Sequence, residues 1–175
     1  MHPHSEFVLG GQRSGKSRRG EQRAADWLAG GPDRRAVLLA TAEAGDDEMR
    51  ARIARHQEER GDRWTTLEAP LDLVGALNGL SADDAVVVDC LTLWLSNLMH
   101  VQADVAAGID ALIAVLERCP AQVWLVSNEV GQGIVPDNAL ARRFRDEAGW
   151  MHQALARAAD EVLMVVAGLP LRLKP

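Results

Sequence analysis

The run Gly10-Gly11-Gln12-Arg13-Ser14-Gly15-Lys16-Ser17 constrains this chain more than any other stretch. It fits G-x-x-x-x-G-K-[ST] in full, a pattern that works only between a strand and a helix. Its glycines let the backbone curl so that successive N–H groups point inward at phosphate oxygens, and the helix that follows adds its positive end. In that frame Lys16 reaches the β and γ phosphates and Ser17 holds Mg²⁺. The flanks supply the required context: Phe7 to Leu9 reads as a strand and Lys16 to Leu28 as a helix.

The same alternation continues down the chain. Strands are predicted at Val37 to Ala40, Val86 to Asp89, Val123 to Ser127 and Val162 to Ala167. Helices are predicted over Asp46 to Arg60, Asp104 to Arg118 and Asn138 to Ala159, with Gly149 the point where a bend or break would fall. GGPDRR and GLSADD read as turns. Continuous apolar strands such as AVVVDC and QVWLVS call for burial on both sheet faces. The predicted class is therefore α/β: a P-loop NTPase-like three-layer fold, its mainly parallel central sheet flanked by helices. With 175 residues, 47% of them hydrophobic, the expectation is one domain over 1–175.

Charge and cysteine content narrow the setting. A formal net charge of -6 argues against non-specific nucleic-acid binding, so anions must be held locally. Cys90 and Cys119 form neither a metal-spaced pair nor a disulfide framework, which favours a reducing compartment. The start, MHPHSEFVLGG, lacks a signal peptide's basic and apolar regions, and VLMVVAGLPL is shorter than the about 20 residues a membrane-spanning helix needs. A soluble, cytoplasmic protein with no membrane span is expected.

A phosphate cradle also needs a carboxylate at the end of a neighbouring strand to orient the metal. Asp89, closing Val86-Val87-Val88-Asp89, stands there; capping the helix that starts near Leu91 is its other reading. Asn128 and Glu129 follow a later strand at the sheet end where α/β proteins bind ligands; capping of a turn-rich connection is the alternative. His56, in RIARHQEER, borders an apolar stripe of Met49 and Ile53 and has Arg52 and Arg60 four residues to either side. By pattern it is an ordinary helix histidine; chemically, an imidazole kept neutral by guanidinium neighbours is also a competent nucleophile toward phosphorus.

Four segments together give a closer likeness: GGQRSGKSR at Gly10 to Arg18, LATAEAGDDEMRARIARHQEER at Leu39 to Arg60, VVVDCLTLWLSNL at Val86 to Leu98, and SNEVGQGIVPDNALARRFRDEAG at Ser127 to Gly149. With them the chain resembles the bifunctional adenosylcobinamide kinase / adenosylcobinamide-phosphate guanylyltransferase family of cobalamin biosynthesis, nearly end to end. It departs at His152, where many relatives carry asparagine before Gln153.

The resemblance implies two reactions. The hydroxyl of adenosylcobinamide first takes the γ-phosphoryl group of ATP or GTP. GTP then transfers GMP to a histidine, and adenosylcobinamide phosphate attacks it to give adenosylcobinamide-GDP. His56 matches the guanylylated histidine, with Lys16 as the second catalytic residue. Nucleotide contacts carry over onto Gly10, Gly11, Gln12, Arg13, Ser14, Gly15, Lys16 and Ser17, onto Ala40, Thr41 and Ala42, onto Gln57, Glu58, Glu59 and Arg60, and onto Glu68 and Asp89. Mg²⁺ falls to Ser17 and Asp89, and a homo-oligomer, as in a trimer, is implied. Two other readings stay open: a P-loop kinase of another small metabolite without covalent nucleotide, and a GTP-binding regulatory switch.

Overall fold

The computed structural model describes residues 4–42 and 62–175. A seven-stranded sheet runs through the protein in the order β3-β2-β4-β5-β1-β6-β7. Its strands are β1 (Ser5–Gly10), β2 (Arg35–Ala40), β3 (Trp64–Glu68), β4 (Asp84–Asp89), β5 (Gln122–Asn128), β6 (Glu161–Val166) and β7 (Leu169–Lys174). All neighbours pair parallel except β6 and β7. The helices among the described residues are α1 (Lys16–Leu28), α2 (Leu73–Asn78), α3 (Leu91–His100), α4 (Val105–Leu116) and α5 (Ala139–Ala158).

β4 explains why the layers are three. Successive side chains of a strand point to opposite faces. Val86 and Val88 enter a core built with α2, α3, α4 and α5, whereas Ala85 and Val87 enter a second core beneath α1. A strand buried on both sides has no polar face, which is what AVVVD shows in sequence.

Short polar residues set the helix starts. Asp72, Asp104 and Asn138 each stand just before a helix and accept a hydrogen bond from a backbone N–H of its first turn, that of Gly75, Ala107 and Ala141 respectively. Asp104 and Asn138 are thus caps where the sequence reading placed first helical residues. α5 continues unbroken through Gly149, because its core stripe of Ala148, Met151, His152 and Leu155 spans that point. At its far end Lys174 donates to the carbonyls of Ala156, Arg157 and Ala159. A cation there satisfies the acceptors a helix leaves unpaired.

Two strands and a helix exceed what the sequence predicted. β3 is half-exposed and carries Thr65 and Thr66 rather than an apolar run. The run VLMVVAGLPL divides into β6 and β7 at Ala167 and Gly168, both with positive φ (52° and 81°), as a two-residue hairpin turn requires. α2, six residues long, is too short to show a helical period. The predicted helix over Asp46 to Arg60, with His56, lies outside the described residues.

Candidate functional site

Parallel strands deliver their carboxyl ends to one edge, and register fixes which residues meet there. Ala40 pairs with both Glu68 and Asp89, and Gly10 pairs with Asn128. A cavity of about 610 Å³ opens at this edge. Gln12, Arg13, Ser14, Gly15, Lys16 and Ser17 line it from the loop after β1; Ala40, Ala42 and Asp89 line it from the neighbouring strands.

The loop's shape depends on two glycines. Gly15 has φ +106°, a left-handed conformation that a side chain strains, and it turns the chain into α1. Gly10 is needed for space: a Cβ there would lie 2.5 Å from Ser14 Oγ and 2.5 Å from the Val165 carbonyl oxygen. The β6–β7 hairpin supports the loop from outside, with the Gly168 N–H donating to the Ser14 carbonyl at 2.9 Å.

Lys16 is buried, and its ammonium donates to the Gly11 carbonyl at 2.7 Å. Burial lowers its pKa, an effect that the nearby Asp89 and Cys90 oppose. Two turns behind the loop, fully buried Glu6 lies 3.5 Å from Arg19 Nε and 3.4 Å from Arg23 Nε. These ion pairs pin α1 to β1, so the helix that carries Lys16 at its start is fixed along its length.

Thr41 does not face the cavity. It is buried, its hydroxyl donates to the Cys90 carbonyl at 2.8 Å, and it accepts from the Cys90 N–H at 2.9 Å. Asn97 adds bonds to the carbonyls of Thr41 and Pro70, joining α3 to the ends of β2 and β3. Glu68 is exposed at the end of β3 and does not line the cavity. Gly10 and Gly11 shape the loop without lining it. Gln57, Glu58, Glu59 and Arg60, like His56, lie outside the described residues.

The cavity wall also holds Arg18, Glu21, Leu38, Thr66, Cys90 and Leu93, which sequence reasoning missed. Leu38 pairs with Thr66 across β2 and β3, two residues before Ala40 and therefore on its face. Glu21 follows Ser17 by four, one helical turn on. Glu21 was therefore readable from the predicted helix, whereas Leu38 and Thr66 needed a strand assignment for β3. Asn128 does line the wall, and its amide donates to Thr92 Oγ1 at 3.1 Å; Glu129 turns instead to the N–H of Gly131.

A glycine-bearing loop at a helix start, a buried lysine and a carboxylate around one cavity can hold a polyphosphate and offset its charge. Residues 6–173 match the model of the family described as cobinamide kinase / cobinamide phosphate guanyltransferase. The chain belongs to this family. Within the cobinamide kinase / guanyltransferase family, relatives carry the name bifunctional adenosylcobalamin biosynthesis protein. The chain is 46% identical to that of Pseudomonas aeruginosa over 175 residues, covering 97% of this chain and 96% of the relative. It is 43% identical to that of Salmonella typhimurium and 38% to that of Escherichia coli, each over 184 residues and with 96% of this chain and 98% of the relative covered. The cobinamide kinase / guanyltransferase match thus reaches every described strand, leaving out only Ser5 of β1 and Lys174 of β7.

Proposed function

We propose that this chain is a bifunctional enzyme of cobalamin biosynthesis, which phosphorylates adenosylcobinamide with ATP or GTP and then transfers GMP from GTP to adenosylcobinamide phosphate. The observation that carries this reading is a phosphate cradle facing Asp89 across one cavity, in a chain that matches the cobinamide kinase / guanyltransferase family over residues 6–173.

In this reading the loop from Gly10 to Ser17 binds the triphosphate, Lys16 offsets charge on the departing group, and Ala40 and Ala42 form the nucleoside side, with Glu68 next to Ala40 at the exposed end of β3 and Thr41 holding the β2 end in place behind them. Ser17 and Asp89 border the same cavity, and a hydroxyl with a carboxylate is the hard-oxygen donor set that suits Mg²⁺. When bound, that ion would neutralise phosphate charge. His56 is the nucleophile on the α-phosphorus and becomes guanylylated as pyrophosphate departs; Gln57, Glu58, Glu59 and Arg60 accompany it to the nucleotide. Dividing the transfer into two displacements lowers the demand on each.

We further infer a single domain acting in the cytoplasm, a setting with which the free thiols of Cys90 and Cys119 agree. No helix among the described residues is long and apolar enough to cross a membrane. A homo-oligomer, as in a trimer, is also inferred. Edge strand β7 supports it: Leu169 and Leu171 pair with Val166 and Met164, and Val166, Leu169 and Leu171 are all more than half exposed on that shared face.

The test is covalent labelling. Incubated with Mg²⁺ and GTP labelled at the α-phosphate, the protein is expected to acquire an acid-labile, alkali-stable label that His56→Ala lacks. Label of undiminished yield in His56→Ala would remove the role assigned to His56. Absence of label in the wild type, with γ-phosphoryl transfer intact, would leave the simpler kinase.

A further inference from the structure

The segment between β5 and α5 is held firmly yet turns apolar side chains to solvent. Arg145 donates to the carbonyls of Ile134 and Gly131, both at 2.7 Å, and Arg142 to those of Pro136 at 2.9 Å and Asp137 at 2.6 Å. Two guanidinium forks thus fix four carbonyls of a loop that has no regular structure of its own. On this fixed backbone Ile134 is 96% exposed, Val135 66% and, just beyond the cap, Leu140 68%. Loops are ordinarily polar at their tips, and an ordered aliphatic tip is a surface prepared for contact.

Its position identifies what it meets. The segment leaves the cavity wall at Asn128, and the Glu129 N–H donates to the Gly10 carbonyl at 2.9 Å, where the phosphate loop begins. The cradle residues are committed to the nucleotide, so an acceptor is held by something beside the cradle, and this loop starts there. A corrinoid acceptor suits it chemically, since a corrin has broad apolar faces bordered by amides. A second copy of the chain is the competing occupant of such a tip, but the bond to Gly10 puts the start of the loop at the nucleotide cavity, where the acceptor is needed.

We propose that the β5–α5 loop is the docking element for the corrinoid acceptor, with Ile134 and Val135 against the macrocycle and Arg142 and Arg145 as positioning residues behind them. This rests on the enzymatic reading above and assigns its acceptor site.

The experiment uses the full chain with Ile134→Ser/Val135→Ser, both at solvent-exposed positions, and Ile134→Leu as the conservative control. Cobinamide binding is followed by corrin absorbance in equilibrium dialysis, KM for cobinamide in the kinase reaction, GTP affinity by calorimetry, and mass by sedimentation. The expected result for the double variant is at least a tenfold weaker hold on cobinamide in both Kd and KM, with GTP affinity and mass unchanged and Ile134→Leu close to wild type. Equal cobinamide affinity in wild type and double variant overturns the docking assignment while leaving the enzymatic reading intact. A drop in mass accompanying the loss overturns it in favour of a subunit contact. A wild type that binds GTP and no cobinamide overturns the enzymatic reading and this assignment together.

Discussion

At the residue scale, the proposed chemistry rests on Lys16. Its ammonium rests on the carbonyl of Gly11, within its own loop, and burial has already weakened its hold on the proton, against the pull of Asp89 and Cys90. A group desolvated in this way interacts more strongly with phosphate than an exposed lysine does. Lys16→Ala is expected to lower both phosphoryl and guanylyl transfer by about a hundredfold or more, the scale of losing one donor to developing charge. Assaying the two reactions separately checks this, and guanylyl transfer at the wild-type rate in the variant would show that the cradle serves phosphorylation alone. The place of Lys16 at the cavity was legible in sequence because the motif fixes it between a strand and a helix. Thr41 was not: the resemblance gave it to the nucleotide, whereas its hydroxyl is occupied by the Cys90 backbone, a partner forty-nine positions away that no local pattern reveals.

Among elements, α5 does the most to organise the site edge. From it His152 reaches under β5, its Nε2 and Ser127 Oγ 2.8 Å apart, both buried, with the ring of Phe7 alongside. The pair resembles a nucleophile and its base, but Ser127 has no exposure at all, so the contact is a joint between helix and strand one residue before Asn128. His152→Leu keeps most of the volume and strands the hydroxyl; a loss of about 1–3 kcal/mol is expected by urea denaturation. Burial depresses the pKa of His152, with Glu129 opposing. The unfolded chain therefore takes up this proton first as pH falls: the stability from the neutral ring is whole above the ordinary histidine range and is lost as pH drops through the lower folded value. The denaturation midpoint should fall across that window in the wild type and fall less in His152→Leu. Equal slopes would mean that another group carries the effect. Elements with uniform apolar runs, such as β4 and β5, were readable because two-sided burial leaves that signature. β3 and β7 were hidden, one by threonines on a half-covered edge, the other by fusion with β6 into a single apolar run. Glu6 likewise fell outside the predicted strand, which began at Phe7, since a lone carboxylate is a poor strand-core residue; Arg19 and Arg23, on another element, make it tenable.

At the scale of the whole molecule, the two sheet edges differ. β3 ends beside the site with Glu68 exposed, while β7, one strand beyond β6, presents leucines on the opposite outer edge. Leu171→Asp, which puts a charge on that outer face, is expected to shift the sedimenting species toward the 19.0 kDa of one chain. Unchanged mass in Leu171→Asp, for a wild type that is oligomeric, would move the interface elsewhere. The bond from Glu129 to Gly10 carries a different consequence. One peptide carbonyl is common to the start of the phosphate cradle and the start of the apolar loop, so a guest that tugs on either also strains the other. Thermodynamic reciprocity then requires that each guest alter its companion's affinity by the same factor, a symmetry that two binding titrations, each repeated with the other compound present, would display directly.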